Sequence, residues 1–242
     1  MAKPPEHAKA YGLGQPAHIS NLPLGRLRSN IEALPAAAQG RALEWLQRLS
    51  FPASDVRFLR VDLTGGIFYA DTFLPDVAEE TTGTEGASVP VTEAINPANT
   101  FFLHSKPGSS NVVYLDFDGH IIPSSSAWTN IDLHALAYDN SYTDDDATFT
   151  TSELSDIAEI WHRVAEDYAP FDVDVTTEEP SSFTSTTGRL LFTSGDTDDN
   201  GRAMPAQGAG GVAYVGVFGS SSYVNTYSPA LVYYYPATDT YS

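Results

Sequence analysis

No cysteine occurs among the 242 residues, which removes disulfides, thiolate metal sites and a cysteine nucleophile together. Basic residues are scarce and unevenly placed. Nine of the twelve lie in residues 1–106 against 11 acidic ones, whereas residues 107–242 hold only Arg163, Arg189 and Arg202 against 20 acidic residues. So acidic a half repels phosphate backbones and anionic lipid, and neither nucleic acid nor a membrane surface is expected as a partner. Solvation, cation binding or a saline exterior account for the charge more simply. No stretch approaches the ~18 consecutive apolar residues that span a bilayer, and MAKPPEHAKA lacks the apolar centre of a signal peptide. Charged residues make up only 18% of the chain and hydrophobic ones 42%, a balance that favours a packed core over disorder.

Two composition regimes imply two units, residues 1–75 and 101–242, joined by a linker over 76–100. In the first, LRSNIEALPAAAQGRALEWLQRLSF reads as helix on either side of a break at Pro35, with Leu43, Trp45, Leu46 and Leu49 giving the second helix an apolar side. FLRVDLTGGIFYADTF reads as a hairpin, strands at 58–63 and 67–73 around Gly65-Gly66. From Pro75 to Thr100 the composition is Thr, Glu, Gly, Ala and Pro, that of a tether where proteases cut first.

The second unit opens with a strand over 111–117, which runs into VVYLDFDGH. A polar loop with many aspartates follows over 124–148, then the clearest helix in the chain. Thr150 and Glu153 have capping-box spacing, and Leu154, Ile157, Trp161, Val164, Ala165 and Tyr168 recur at three and four residues as one apolar stripe. On this spacing Trp161 is a core residue. Four more strands are expected, at 171–176, 189–193, 211–218 and 230–235. One helix crossing between the first two strands implies a βαβ start and a mostly parallel sheet.

Asp116 and Asp118, at the end of that first strand, have the arrangement of a haloacid dehalogenase-type phosphatase. Asp116 would be the nucleophile, Asp118 the acid and base, Thr193 or Ser194 a phosphoryl ligand, and Asp198 with Asp199 a magnesium pair. The pattern lacks the cation that follows the first strand. All three lysines precede it, and Arg202 comes after the proposed magnesium pair. The two aspartates then read as strand-end carboxylates that cap turns or bind a cation.

LHSKPGSSNVVYLDFDGH, TTSELSDIAEIWHRVAEDYAPFDVDVTTEEP, GAGGVAYVGVF and PALVYYYP, in that order, resemble the front part of secreted bacterial zinc metallopeptidases of the metzincin-like, reprolysin-related kind. ALEWLQRLSFP and GGIFYAD are similar to the propeptide carried ahead of such domains. The resemblance implies an α/β (α+β) fold: a metzincin-like, mixed, mostly parallel five-stranded sheet with one long helix, preceded by a small helix-plus-hairpin unit. It implies an extracellular protein that hydrolyses peptide bonds with zinc-activated water, and a peptide or protein substrate. Gly210, Gly211, Val212, Ala213, Tyr214 and Val215 match the antiparallel edge strand that pairs with an extended substrate.

The family's zinc helix carries His-Glu-x-x-His, two histidines on one helical face sharing the metal. None of His7, His18, His104, His120, His134 and His162 has another histidine four residues away or a following Glu. That helix is expected to begin where this chain ends, at Ser242, so the chain itself is expected to be inactive. His162 and Glu166 share a helix side but read as a solvated pair. Asp139, Asp144, Asp145 and Asp146 offer calcium hard oxygen ligands, without the alternation of an EF-hand loop; a solvated acidic loop is the simpler reading.

Overall fold

The computed structural model describes residues 10–72, 95–140 and 148–235. Residues 76–94 of the expected linker, His7 and Asp144 to Asp146 lie outside them. The N-terminal part contains β1 (Ala10–Tyr11), α1 (Arg26–Glu32), α2 (Ala36–Leu46), β2 (Phe51–Pro52), β3 (Leu59–Val61) and β4 (Ile67–Thr72). Then come β5 (Val112–Asp116), β6 (His120–Ile122), β7 (Leu133–Ala135), α3 (Thr151–Tyr168), β8 (Asp174–Thr176), β9 (Thr187–Ser194), β10 (Ala209–Tyr214) and β11 (Ala230–Tyr234).

The long helix starts for the reason its sequence announces. Thr150 Oγ1 accepts from the Glu153 amide at 3.2 Å, and the Glu153 carboxylate accepts from the Thr150 amide at 2.7 Å, so two donors that a bare helix end leaves free are satisfied. Pro35 separates α1 from α2. The side of α2 that faces its own core is Ala38, Ala42 and Leu46. Trp45 and Leu49 are half-buried, pack against the edge of that core and also reach residues 214–217.

Seven strands form one sheet in the order β3-β4-β10-β11-β9-β5-β8. The interfaces β5–β8, β5–β9 and β9–β11 are parallel, and β10–β11, β4–β10 and β3–β4 are antiparallel. The protein is therefore mixed α/β with a multi-strand sheet and few helices. The expected strand number needs correction. The sheet has seven strands, not five, and the hairpin β3–β4 is part of it, so strands from both sides of residue 75 share one sheet. Sequence periodicity cannot register a pairing between residues some 140 positions apart, because main-chain hydrogen bonding leaves no residue-type signature.

Helix α3 packs on one face of the sheet, where Ile157 meets Leu115, Val175 and Phe192. The other face carries Leu191, Val212 and Leu231, covered by Ile122, Leu133 and Ala135 of the β6–β7 hairpin. That hairpin lies partly in the segment read as a polar loop. Its strands have three residues each, too few for alternation to show above the surrounding serines and aspartates.

Coverage of the α3 face is uneven. Ile157 is fully buried, but Ile160, Trp161, Val164 and Ala165 are half-buried, so Trp161 sits at the margin of the core instead of inside it. Along β9 and β11 the side chains turned the same way, Leu190, Val232 and Tyr234, are also half-buried, while Leu191, Leu231 and Tyr233 on the opposite face are buried. Parallel strands are normally covered on both faces. Among the described residues, the face opposite α3 lies under β6–β7, and the α3 face is closed around Leu115, Val175 and Phe192 but only half-covered at Leu190, Val232 and Tyr234.

Candidate functional site

Strand β10 is built from AGGVAY. Val212 and Tyr214 point into the covered face, and Gly211 and Ala213 present almost nothing on the other. A Cβ at Gly211 would lie 3.0 Å from the Leu231 carbonyl oxygen, so the glycine lets β11 approach closely. The register against β4 shifts between Ala209 and Gly211, an irregularity that fits the glycine-rich start of the strand.

The six residues Gly210 to Val215 do not form a free edge in this chain. Val212 pairs with Ala70, Ala213 with Tyr69 and Tyr214 with Phe68 of β4, while β11 pairs on the other side. Side chains of the N-terminal part reinforce the junction. Trp45 Nε1 donates to the Val215 carbonyl at 2.9 Å, and the Tyr214 hydroxyl donates to Asp62 Oδ2 at 2.9 Å and lies 3.1 Å from the Ala127 carbonyl oxygen. Burial first, and then Asp62, pushes the Tyr214 phenol well above its ordinary pKa, so it remains a donor. Phe68, Trp45, Trp128 and Tyr227 pack around the Tyr214 ring. A cleft of about 250 Å³ lined by Trp45, Leu49, Gly216, Val217 and Tyr227 runs along the same junction.

A second polar constellation lies at the carboxyl end of β5. Asp116 is 0% exposed. Its Oδ2 accepts from Arg189 Nη1 of the neighbouring strand β9, and its Oδ1 has no donor. Arg189 also donates to Glu179 at 3.1 Å and stacks over Phe183, 4.3 Å from the ring centre. Burial, together with the adjoining Asp118, pushes the Asp116 carboxyl from its ordinary 3.8 up to about 8 against the opposing field of Arg189. The half-buried His120 imidazole is pushed down to about 4, chiefly by burial and then by Arg189.

A basic side chain after the first strand does face Asp116, which the sequence had not disclosed, but it does not complete a phosphatase. Arg189 is engaged with Asp116 and Glu179, and burial disfavours the ionised form that a carboxylate nucleophile needs. Asp198 accepts from the Arg202 side chain at 2.7 Å and from the amides of Asn200 and Arg202, the work of a turn-closing residue and not of a magnesium ligand. Thr193 is 0% exposed, and the Ser194 hydroxyl donates to the Ala137 carbonyl.

Folding takes up a proton at Asp116 between pH about 4 and about 8, so the stability that this neutral carboxyl contributes is complete below the lower value and is lost as pH rises through the upper one. Asp116→Asn keeps the shape and an acceptor for Arg189 while removing the titration. Between about pH 5 and pH 8, urea unfolding followed by tryptophan fluorescence should show the wild type losing at least about 1 kcal/mol more than the variant. Equal losses would mean that Asp116 folds already ionised.

The histidines do not converge. His104 bridges Asp174 at 2.7 Å and Glu178 at 2.9 Å, fastening residues 103–106 along the outer side of β8. His120 and His134 lie on β6 and β7, and His162 lies on α3 beside the Trp161 ring. Among the described residues, no three histidine or acidic side chains form a metal-holding group. Asp139 is buried. No helix of the described residues is long and apolar enough to cross a membrane. Comparisons with family models, curated proteins and solved structures returned no match.

Proposed function

We propose that the chain is the N-terminal part of a secreted zinc-dependent endopeptidase precursor, with residues 1–75 as prosegment and residues 101–242, which hold the strands β5 to β11, as the front of a metzincin-like catalytic domain. The observation that carries this reading is strand direction. Of the five strands β8, β5, β9, β11 and β10, four run parallel, and the one reversed strand is β10, the segment whose resemblance is to the antiparallel substrate strand. The half-covered face along β9 and β11 adds support, since a helix following β11 has room beside α3. In this reading the described chain supplies the strand that positions an extended peptide. The metal ligands, and with them peptide hydrolysis, are assigned in this reading to the longer product.

The test uses two proteins, this 242-residue chain and the product of the uninterrupted gene, each assayed for casein hydrolysis with and without a metal chelator. The longer product is expected to cleave casein and to lose that activity with chelator, and the 242-residue chain to be inert and to titrate no stoichiometric zinc at nanomolar affinity. A stop codon directly after Ser242 would instead favour a non-enzymatic acidic extracellular binding module. That alternative draws on one observation, that β10 is paired on both sides within the chain itself.

A further inference from the structure

The junction between β4 and β10 lies between two cores that are bridged by the aromatic cluster of Trp45, Phe68, Trp128, Tyr214 and Tyr227. Leu59 and Ile67 of the hairpin belong with Leu27, Ile31, Ala42 and Leu46 of the N-terminal helices, while Val212 and Leu231 belong to the core under β6–β7. Across the junction, Ala70 enters the second core, Phe68 packs against it, and Val215 packs against the first. What holds the two together is a main-chain ladder, the aromatic cluster around Tyr214 and two side-chain hydrogen bonds. That is the composition of a strand-addition interface, in which backbone pairing gives affinity and alternate side chains give selectivity. The two sides are joined through residues 73–94, whose sequence is that of a tether.

We propose that β10 is an exchangeable strand-binding surface, that hairpin β3–β4 is its tethered internal occupant, and that the partner displacing the hairpin is an extended peptide with apolar residues at alternate positions. The inference rests on the peptidase reading for naming that peptide as substrate; the exchange itself rests on the pairing. The selectivity follows from the two faces of β10. Opposite Tyr214 the occupant places Phe68 among Tyr214 and Trp128, and opposite Val212 it places the small Ala70. Opposite Gly211 and Ala213 it places Asp71 and Tyr69, where β10 raises no wall. An incoming strand must therefore carry an aromatic and then a small residue two positions on, with little restriction between them.

Tethering keeps the hairpin at an effective concentration of about millimolar, so a free peptide at micromolar concentration loses the competition until the tether is cut. The hairpin is then an occupant that blocks the strand without contributing a metal ligand.

The experiment uses the full chain with a unique protease sequence placed within residues 73–94, and a fluorescein-labelled GGIFYADT peptide, which copies residues 65–72. Peptide uptake is read by anisotropy before and after cleavage. Cleavage is expected to increase affinity at least about a hundredfold. Asp71→Pro in the uncut chain should increase it about tenfold. The Ala70 amide donates to Phe58 of β3, so strand alternation turns the amides of Tyr69 and Asp71 to β10, and proline removes one of them. GGIFSAST should bind like the parent peptide, and GGIDYKDT should not bind.

Uptake that ignores this pattern, or a cut chain that takes up nothing and keeps its hairpin until global unfolding, would overturn the proposal. The readout is binding alone, which separates the two failures. An inert gene product with peptide uptake intact removes the peptidase and leaves the exchange, whereas casein hydrolysis without uptake removes only the exchange.

Discussion

Phe117→Ala is expected to destabilise the protein by about 3–5 kcal/mol, measured as the change in urea unfolding free energy at constant denaturant slope. Phe117 is 1% exposed. It stacks on Phe192 with ring centres 4.5 Å apart and meets Tyr138 edge-on at 5.8 Å, so truncation empties a closed space between β5, β9 and the approach to α3. Trp161, a residue of the same core cluster, should matter less. The apolar stripe alone assigns Trp161→Ala a comparable penalty, but the half-buried ring leaves a site that water can fill, and the loss there falls to about 1–3 kcal/mol, including the hydrogen bond to the Val175 carbonyl. A larger effect at Trp161 than at Phe117 would show the α3 face to be covered in solution.

Gly65→Ala should cost about 2–4 kcal/mol and concentrate its damage on the N-terminal part. Gly65 adopts φ +94°, and a Cβ there would stand 2.3 Å from the Ala38 carbonyl oxygen in the backbone of α2. The backbone conformation and the clash are separate penalties, and neither can be relieved by a side-chain rotation. Because the turn sets the position of β4, hydrogen exchange should quicken along residues 59–72 and 209–214 while residues 187–194 stay protected. Uniform loss of protection across the sheet would mean that hairpin and sheet open only together, and a neutral variant would contradict the contact with α2.

Much of the local structure was legible in the residues. The α3 start could be read from Thr150 and Glu153, and the hairpin from Gly65-Gly66, because caps and turns depend on neighbours within four positions. The strands β5, β9, β10 and β11 were found within a few residues of their ends, since β-branched and aromatic runs bounded by glycine or proline are local as well. The β6–β7 hairpin was missed through brevity, and Arg189 was counted only as a charge, with nothing to signal that β9 would lie beside β5 and aim it at Asp116.

Composition and spacing alone determined that this is an acidic, cysteine-free α/β chain with one strongly capped helix and a glycine-rich strand suited to close backbone approach. Only the tertiary structure decided that this strand is already paired, and with which partner. The physical reason is that a ladder of amides and carbonyls is common to every sequence. Which strand reaches β10 depends on where two separate cores come to rest, and that depends on contacts spread over more than a hundred residues.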